Sequence, residues 1–379
     1  MKILVATSDY PPALGGMAVY SDSWCRELAG LGAKIRVVAR DIGHRPEGKS
    51  PIIAAKYFEW KAGLLNDPIN AYKILRAEIK DFKPDIVMAH TWIGWGPALA
   101  ILKSRCGVRY VLSAHGAEII GPKNSPWYRF LMKQSFKAAD KIFPVSNFTA
   151  QHIKELGISS ERIEVITNGV DLNRYYSSKK NQTLIERFGL SNCKVLVTVG
   201  GLVDRKGHDV VISALAILKK QYPDLKYLIA GGWALNSSRE NYLRELVAKK
   251  NLSDQVIFSG FISDELLPDI YRLGDVFIMT GREMPDKGWV EGFGISYLEA
   301  AACGIPIIAT LSGGTNEAVT NQNALIVPPD DPVATADAIS ILLSDEKKMK
   351  KMSESGIEWA RQNSWSSKIK MSYEILKEI

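Results

Sequence analysis

Two carboxylates that stand eight positions apart, Glu291 and Glu299, flank the segment of this chain best suited to bind a ligand. Gly292 and Gly294 form a turn directly before a helix that the pattern predicts over 295–303. Backbone without side chains can approach a ligand closely, and a helix N-terminus attracts phosphate. Carboxylates accept hydrogen bonds from hydroxyl groups such as those of a sugar or a ribose. The segment therefore predicts a site for a phosphorylated, hydroxyl-rich ligand.

The spacing of the two carboxylates is not informative by itself. Glu is common, and it usually lies on the solvated face of a helix. The specificity comes from the flanking glycines and from Gly304 and Pro306, which end the helix before an apolar run that is predicted to be a buried strand.

Two more glycine-rich loops follow predicted strands. In Pro11–Gly16, paired Gly15 and Gly16 precede a helix and free backbone N–H groups for a phosphate. After the first strand of the second half, Arg205 and Lys206 precede another helix, where they could neutralise a diphosphate. Both loops also fit an ordinary interpretation, as a Pro/Gly turn and as a solvated basic turn.

A histidine, His115, ends the apolar strand 110–114 and precedes a glycine. A single histidine in such a place is commonly structural. Ligands of parallel sheets bind at the carboxyl ends of the strands, however, so His115 is also a candidate for ligand contact.

Several signatures of other enzyme classes are absent from the sequence. It has no G-x-G-x-x-G after the first strand, no G-x-x-x-x-G-K-[ST], no D-x-D and no cluster of His, Cys, Asp or Glu with metal-ligand spacing. A nicotinamide or flavin dehydrogenase is therefore poorly supported, and a P-loop NTPase is excluded. We expect no metal site, and phosphate charge would be met by backbone amides, helix dipoles and Arg or Lys.

Strand-like apolar runs alternate with amphipathic segments along all 379 residues, the pattern of parallel sheets covered by helices. The length favours two domains. We predict an α/β chain with an N-terminal domain at 1–172, a linker at 173–192, a C-terminal domain at 193–358 and a last helix, 359–379, that returns to the N-terminal domain. Predicted strands are 2–8, 34–39, 86–89, 109–114, 142–145, 194–199, 227–230, 256–259, 276–279, 306–309 and 324–327.

Positive charge is concentrated in the N-terminal half. Residues 1–170 carry 23 Lys and Arg against 15 Asp and Glu, whereas residues 171–379 carry 25 against 26, so the net charge of +7 comes from the first half. This asymmetry favours an anionic partner, either lipid or nucleic acid. The four scattered cysteines form no disulfide or zinc pattern, which makes the cytoplasm the default compartment.

Arg129, Lys133, Lys137 and Lys141 recur every fourth residue on a predicted helix, with Trp127 and other aromatic residues beside them. Such a helix suits an anionic membrane surface, but a core-facing helix with a solvated basic back has the same pattern. The charge asymmetry favours the membrane. We therefore expect a cytoplasmic protein that can bind the inner face of the cell membrane, with no nucleic-acid partner.

Taken together, these motifs resemble the retaining glycosyltransferases of family 4, which have the GT-B fold of two doubly wound Rossmann-like domains facing a central cleft. The matching segments occur in the family's order along the whole chain, and the likeness is greatest to bacterial phosphatidyl-inositol mannosyltransferase-like enzymes. The segments are Pro11–Gly16, His115-Gly116, Asn168–Asp171, Arg205–Gly207, Glu291–Glu299, Gly304–Pro306 and Ser312–Gly314.

The resemblance implies a role for each candidate residue. Glu299 would bind the ribose hydroxyls of a nucleotide sugar, Glu291 would contact the transferred sugar, and His115 would lie near the reacting centre. Lys206 would neutralise the leaving diphosphate. The remaining donor-binding residues would be Gly15, Gly16, Arg205, Phe293, Gly294 and Ile295 around the diphosphate and sugar, with Phe261 and Ile262 near the base.

The implied reaction is metal-independent transfer of a hexose, with retention, from GDP-mannose or a UDP-sugar to a hydroxyl of a lipid-linked, polysaccharide or small-molecule acceptor. The nucleotide sugar is a substrate, and no cofactor is expected. The chain departs from the family at Gly201, where an Arg commonly stands. Two alternatives remain open: a nucleotide-sugar 2-epimerase of the same fold, and a membrane-surface binding protein that has lost catalysis.

Overall fold

A computed structural model describes residues 1–13, 15–41, 53, 55–59, 66–121, 125–231, 238–284 and 287–379, without the side chain of Asn66. The chain divides into two compact units. Unit 1 comprises Met1–Asn168, Pro285–Gly292 and Trp365–Ile379, and unit 2 comprises Gly169–Met284 and Phe293–Ser364.

Unit 1 is built on a sheet of six parallel strands in the order β3-β2-β1-β4-β5-β6. Val5 of the central strand pairs with Val37 on one side and with Met88 on the other. The inner strands are buried on both faces, which explains why they read as continuous apolar runs. The strands are β1 (Lys2–Thr7), β2 (Lys34–Asp41), β3 (Ala55–Glu59), β4 (Ile86–Ala89), β5 (Tyr110–Ala114) and β6 (Lys141–Pro144).

Helices cover this sheet and share its apolar core. The helices of unit 1 are α1 (Gly16–Gly30), α2 (Asn66–Phe82), α3 (Trp95–Cys106), α4 (Ala117–Ile120), α5 (Pro126–Ala138), α6 (Asn147–Lys154) and the C-terminal α14 (Trp365–Glu378). Ser125 caps α5 by accepting from the N–H of Tyr128, and Pro126 occupies the first turn, where no N–H is needed.

Unit 2 contains a second parallel sheet, in the order β12-β11-β10-β7-β8-β9. Its strands are β7 (Lys194–Val199), β8 (Leu225–Ala230), β9 (Val256–Gly260), β10 (Val276–Met279), β11 (Ile307–Ala309) and β12 (Ala324–Ile326). Its helices are α7 (Gln182–Phe188), α8 (His208–Leu218), α9 (Ser238–Lys249), α10 (Leu267–Leu273), α11 (Ile295–Ala302), α12 (Pro332–Ser344) and α13 (Glu346–Gln362).

Each sheet has one topological switch point, where successive crossovers change direction. It lies between β1 and β4 in unit 1 and between β7 and β10 in unit 2. Open parallel sheets bind ligands just outside the carboxyl ends of the strands at such a point. The loops that leave β1, β4, β7 and β10 are therefore the first places to look for function.

The predicted α/β class is confirmed in both units, and every predicted strand overlaps a strand of the structure. The edge strand β3 was not predicted. It is short and none of its residues is fully buried, so its apolar pattern is weak. The predicted linker, residues 173–192, lies in unit 2 and contains α7, which Asn181 caps. The segment Pro285–Gly292 belongs to unit 1 although the residues on both sides of it belong to unit 2, and nothing in the sequence indicates this.

The last helix, α14, packs against α1 in unit 1, where Trp365 meets the ring of Tyr20 edge-on at 5.8 Å. Among the described helices, none has the length and apolar character needed to span a bilayer.

Candidate functional site

In unit 1 the glycine pair lies at the start of α1. Gly15 has a φ of 117°, which favours glycine, and it precedes a helix that no side chain caps. Gly16 is exposed, and a Cβ added there would meet no atom within 4 Å. Open space therefore lies beside the N-terminus of this 15-residue helix, which is an arrangement that suits an anion.

His115 lies directly after β5 and is oriented by a backbone contact. Its Nε2 lies 2.9 Å from the carbonyl oxygen of His90, and because a carbonyl can only accept, Nε2 carries the proton. Desolvation lowers the pKa of His115 to about 4, so the ring is neutral near pH 7. Nδ1 is thus the acceptor nitrogen. The ring also packs edge-on against Tyr20 of α1, with 4.5 Å between centroids.

Glu118 supports the same turn, and the sequence did not single it out. Its carboxylate accepts the backbone N–H of His115, and burial raises the pKa of this carboxyl group. The signal that could have found it is its position three residues after His115, since a carboxylate in the first turn of a helix commonly accepts from preceding amides.

Glu291 is brought to the His115 turn by close backbone packing within unit 1. A Cβ on Gly292 would collide with the carbonyl oxygen of His115, and a Cβ on Gly116 would lie 3.3 Å from the Cα of Gly292. Gly288 makes an equally close approach to Gly121. The glycines around Glu291 are therefore needed for backbone contact in unit 1 as well as for the turn before α11.

In unit 2 the predicted phosphate turn adopts the expected geometry. Gly294 has a φ of 93° and immediately precedes α11, which begins at Ile295 without a side-chain cap. A Cβ at Gly294 would meet the ring of Tyr297 at 2.6 Å, and the Tyr297 hydroxyl donates to the Met279 carbonyl oxygen at 2.8 Å. Phe293 is buried in the core. The N–H groups at the start of α11 are thereby held in a fixed orientation.

Lys206 follows β7 in a 3-10 turn, Asp204–Lys206, and only 8% of the residue is exposed. A Cβ on Gly200 would lie 3.6 Å from Cε of Lys206, so the lysine stem runs beside the glycine loop. Gly207 has a φ of 72°, and its carbonyl accepts from Thr280 at the end of β10 at 2.9 Å. This hydrogen bond therefore joins the Lys206 turn, after β7, to the end of β10, at the switch point of the sheet.

An ion network that the sequence did not reveal fixes this turn. Arg239 pairs with Asp204 at 2.9 Å and with Asp209 at 2.7 Å, while Arg282 pairs with Asp209 at 2.8 Å and with Asp330 at 2.9 Å. The Arg205 carbonyl accepts the N–H of Arg282 at 2.9 Å. These contacts link the loops after β7 and β10.

Gly201, the departure from the family pattern, lies in the same loop. Its carbonyl oxygen lies 3.3 Å from Nε2 of His208, while Nδ1 of His208 lies 3.1 Å from the Tyr227 hydroxyl. Desolvation lowers the pKa of His208 to about 4. The buried neutral histidine therefore donates to the loop and accepts from Tyr227.

Glu299 is buried inside α11, and its Oε2 accepts from the Tyr271 hydroxyl at 2.5 Å. Burial raises the pKa of Glu299, while the Tyr271 hydrogen bond, the charge of Arg174 and the Tyr175 hydrogen bond oppose that rise. After β9, Phe261 is 55% exposed and Ile262 is 6% exposed. Of these two side chains, Phe261 is therefore the one that is open to a ligand.

The predicted candidates fall into two sets. Unit 1 holds Gly15, Gly16, His115 and Glu291, and unit 2 holds Arg205, Lys206, Phe261, Ile262, Phe293, Gly294, Ile295 and Glu299. Within the described part of the chain, no group of three or more His, Cys, Asp or Glu is placed to hold a metal ion.

The basic helix is shorter than the sequence pattern suggested. Helix α5 ends at Ala138 because Ala139 is extended, and Lys141 instead begins β6 and donates to the Glu161 carbonyl. Placing Lys141 on the helical stripe was therefore wrong. Arg129, Lys133 and Lys137 remain on α5, with Arg129 and Lys137 exposed.

Helix α5 also carries an exposed aromatic pair. Trp127 and Phe130 are 52% and 51% exposed, and their rings stack with 5.7 Å between centroids. The same helix lines a cavity of about 480 Å³ in unit 1, through Tyr128 and Leu131. Its apolar lining also includes Trp92, Ile93, Pro97 and Ala117, from the loop after β4, α3 and α4, while Asp67, Glu118 and Ser125 contribute polar groups.

Two family models match the chain. Residues 14–174 match the model described as "Glycosyltransferase Family 4", and residues 181–359 match "Glycosyl transferases group 1". A similar protein is the GDP-mannose-dependent alpha-(1-6)-phosphatidylinositol monomannoside mannosyltransferase of Mycolicibacterium smegmatis, 29% identical over 95% of this chain and 94% of that protein. Another is the D-inositol 3-phosphate glycosyltransferase of Corynebacterium urealyticum, 27% identical over 96% and 91%.

Solved structures share the fold. Sucrose-phosphate synthase from Thermosynechococcus elongatus has a TM-score of 0.82 at 21% identity, covering 100% of this chain and 98% of that one. Anabaena HepE in complex with UDP has a TM-score of 0.81 at 21% identity, covering 100% of both chains. None of these four proteins is named an epimerase, so the epimerase alternative gains no support from them.

Proposed function

Because the chain belongs to the glycosyltransferases, with a family 4 and a group 1 domain in the GT-B fold, we propose that it moves a hexose from a nucleotide-diphosphate sugar to an acceptor hydroxyl. One observation carries this proposal. Lys206 and the turn into α11 leave the carboxyl ends of β7 and β10, the two strands of unit 2 that flank its switch point. A cation and a helix N-terminus at that place suit a diphosphate.

We assign the nucleotide and the diphosphate to unit 2. Lys206, with Arg205, neutralises the diphosphate, and the amides of Phe293, Gly294 and Ile295 donate to its oxygens. Glu299 binds the ribose hydroxyls, and the exposed Phe261 ring, beside Ile262, contacts the base. These assignments rest on the family resemblance together with the burial and helix geometry described above.

We assign contacts with the sugar to unit 1. Glu291 accepts from hydroxyls of the transferred hexose, and Gly15 and Gly16 offer backbone amides. His115, with Nδ1 as its acceptor, orients a hydroxyl near the reacting carbon. With a pKa of about 4 the ring is too weak a base to take the proton of the attacking hydroxyl, so the leaving phosphate, on the same face, takes that proton. The product then retains the anomeric configuration.

The donor that we propose first is GDP-mannose, because the Mycolicibacterium smegmatis relative is named for it. A UDP-sugar is the second choice. The acceptor is a lipid-linked or saccharide hydroxyl. The aromatic pair Trp127 and Phe130, next to Arg129, Lys133 and Lys137, suits an anionic membrane surface where a lipid-linked acceptor would lie. The apolar cavity lined by Tyr128 and Leu131 is consistent with an acceptor that has an apolar part.

A transfer assay tests this function. The purified chain is incubated with GDP-mannose, UDP-glucose, UDP-galactose or UDP-N-acetylglucosamine, with phosphatidylinositol-containing vesicles or with soluble sugars, and transferred label and released nucleoside diphosphate are measured. We expect one donor to support transfer, and an unchanged rate in EDTA. Donor interconversion without an acceptor would indicate an epimerase instead. No nucleotide release and no nucleotide binding would contradict the proposal.

A further inference from the structure

Two buried tyrosines surround the carboxylate of Glu299, and none of the assignments above uses them. We infer that Tyr271 and Tyr175 are positioning residues of the ribose site: their hydroxyls orient the Glu299 carboxylate and keep it an acceptor for the two ribose hydroxyls. This inference rests on the proposed function, since it needs a ribonucleotide as ligand.

The contact of Tyr271 with Glu299 is direct. The hydroxyl donates to Oε2 at 2.5 Å, and both side chains are buried. The ring of Tyr271 is fixed by an edge-on contact with Tyr175, 5.8 Å between centroids, and by Phe277 at 5.7 Å. A donor held this firmly restricts the carboxylate to one orientation in α11.

Tyr175 lies in the segment that precedes α7, packs edge-on against Tyr271, and also lowers the pKa of the Glu299 carboxyl group. This segment is held by Arg272, which donates through Nε to the Tyr176 carbonyl at 2.9 Å and through Nη2 to the Arg174 carbonyl at 3.4 Å. Arg272 is itself anchored to Asp269 at 2.8 Å. Two successive residues of α10 therefore have different tasks. Tyr271 contacts Glu299 directly, and Arg272 holds the backbone on both sides of Tyr175.

The electrostatics explain why a buried carboxylate needs such neighbours. Burial raises the pKa of Glu299, and the hydrogen bond from Tyr271 is the largest effect that lowers it, followed by Arg174 and Tyr175. Burial and the charge of Glu299 raise the pKa values of both tyrosines well above their ordinary value, so both keep their protons as donors. Glu299 thus stays a better acceptor than burial alone would allow.

The acceptor capacity of the carboxylate is sufficient for a ribose. An ionised carboxylate has about four lone-pair sites on two oxygens; the Tyr271 hydroxyl takes one of them, and Tyr175 is placed to take a second. Two sites remain, which matches the two vicinal hydroxyls of a ribose. A protonated Glu299 would instead present a donor and would lose one acceptor site.

The test compares ribose and dideoxyribose nucleotides. Wild type, Tyr271→Phe and Tyr175→Phe are titrated by calorimetry with UDP, GDP or ADP, whichever wild type binds most tightly, and with the 2′,3′-dideoxy analogue of that nucleotide. We expect wild type to prefer the ribonucleotide. Tyr271→Phe should lose roughly ten-fold in affinity for the ribonucleotide, as for a hydrogen bond to a charged group, and less than two-fold for the analogue.

A pH series provides a second readout. In Tyr271→Phe the pKa of Glu299 should rise, so the fall in ribonucleotide affinity on acidification should begin at a higher pH than in wild type. The matched control is Tyr110→Phe, which removes a buried hydroxyl that donates to the Ser135 carbonyl at 2.7 Å in unit 1. It should leave both affinities and the pH profile unchanged.

The outcomes separate this inference from the proposed function. Equal losses for ribose and dideoxyribose nucleotides in Tyr271→Phe would show a merely structural role and overturn the inference, while nucleotide binding itself stands. A wild type that binds both nucleotides equally would also overturn it. A wild type that binds no nucleotide would overturn the proposed function.

Discussion

Replacing Lys206 by Met tests the core of the proposed mechanism, because Met removes the charge and keeps a side chain of similar length. Lys206 is 8% exposed, and its stem lies beside Gly200, where a Met side chain can occupy the same path. The 3-10 turn and the ion pairs of Arg239 remain in place. The substitution should therefore alter the electrostatics and leave the fold unchanged.

The expected effect follows from the burial of Lys206. At an effective dielectric constant of about 20, a charge pair roughly 4 Å apart interacts by about 4 kcal/mol. The leaving diphosphate gains negative charge as the bond to the sugar breaks, so most of this stabilisation belongs to the transition state. A loss of roughly 2.7 to 4 kcal/mol corresponds to a 10²- to 10³-fold fall in kcat.

The assay is release of nucleoside diphosphate under saturating donor, with nucleotide affinity measured separately by calorimetry. Lys206→Arg should recover part of the rate, because it restores the charge. The matched control is Lys347→Met, an exposed lysine on α13 of the same unit, which should behave as wild type. A kcat for Lys206→Met within five-fold of wild type, with folding intact, would refute the electrostatic role.

Three further predictions follow from individual contacts. Gly292→Ala should lower kcat/KM by at least roughly ten-fold, because the added Cβ collides with the His115 carbonyl and displaces Glu291. Steady-state kinetics would check this. The control is Gly30→Ala, because a Cβ at Gly30 meets open space. The free energy of unfolding should fall on acidification from pH 6.5 towards 4, by up to about 1.4 kcal/mol per pH unit for each buried neutral histidine. His90 and His208 are two such residues: in this pH range their imidazoles bind a proton in the unfolded chain but stay neutral in the folded protein. Denaturant titrations of wild type and His208→Gln isolate one such contribution, whereas a parallel pH dependence in the two would contradict it. Finally, Trp127→Ala with Phe130→Ala should reduce flotation with anionic vesicles, with Ile217→Ala as an exposed apolar control; equal flotation would remove α5 as an anchor.

Short-range patterns explain what the sequence could predict. Strands such as β4 and β5 are buried along their full length, so their apolar runs are unambiguous. The turn at Gly294 was also predictable, because glycine tolerates the positive φ of 93° that this turn requires. The edge strand β3 and the end of α5 were missed, since half-buried strands give little signal and nothing in the charge pattern marks the extended Ala139.

The site residues that escaped prediction depend on contacts between distant segments. Tyr271 acts on a carboxylate 28 residues away, and Arg282 pairs with Asp209 across 73 residues. From the sequence alone, such a tyrosine cannot be told from an ordinary core residue, and such an arginine cannot be told from an ordinary surface residue. Only the packing of α10 against α11, and of the loop after β10 against α8, brings them next to the candidate site residues.

Gly201 shows how the fold bears on a departure from the family pattern. Where an Arg commonly stands, this chain has a residue without a side chain whose carbonyl accepts from His208. The buried His208 therefore fixes the backbone of this loop, and position 201 contributes no positive charge. The arginines nearby, Arg239 and Arg282, are paired with Asp209, which offsets their charge. In the proposed site, Lys206 and Arg205 then provide the positive charge for the diphosphate, so the removal of Lys206 should be at the severe end of the 10²- to 10³-fold range.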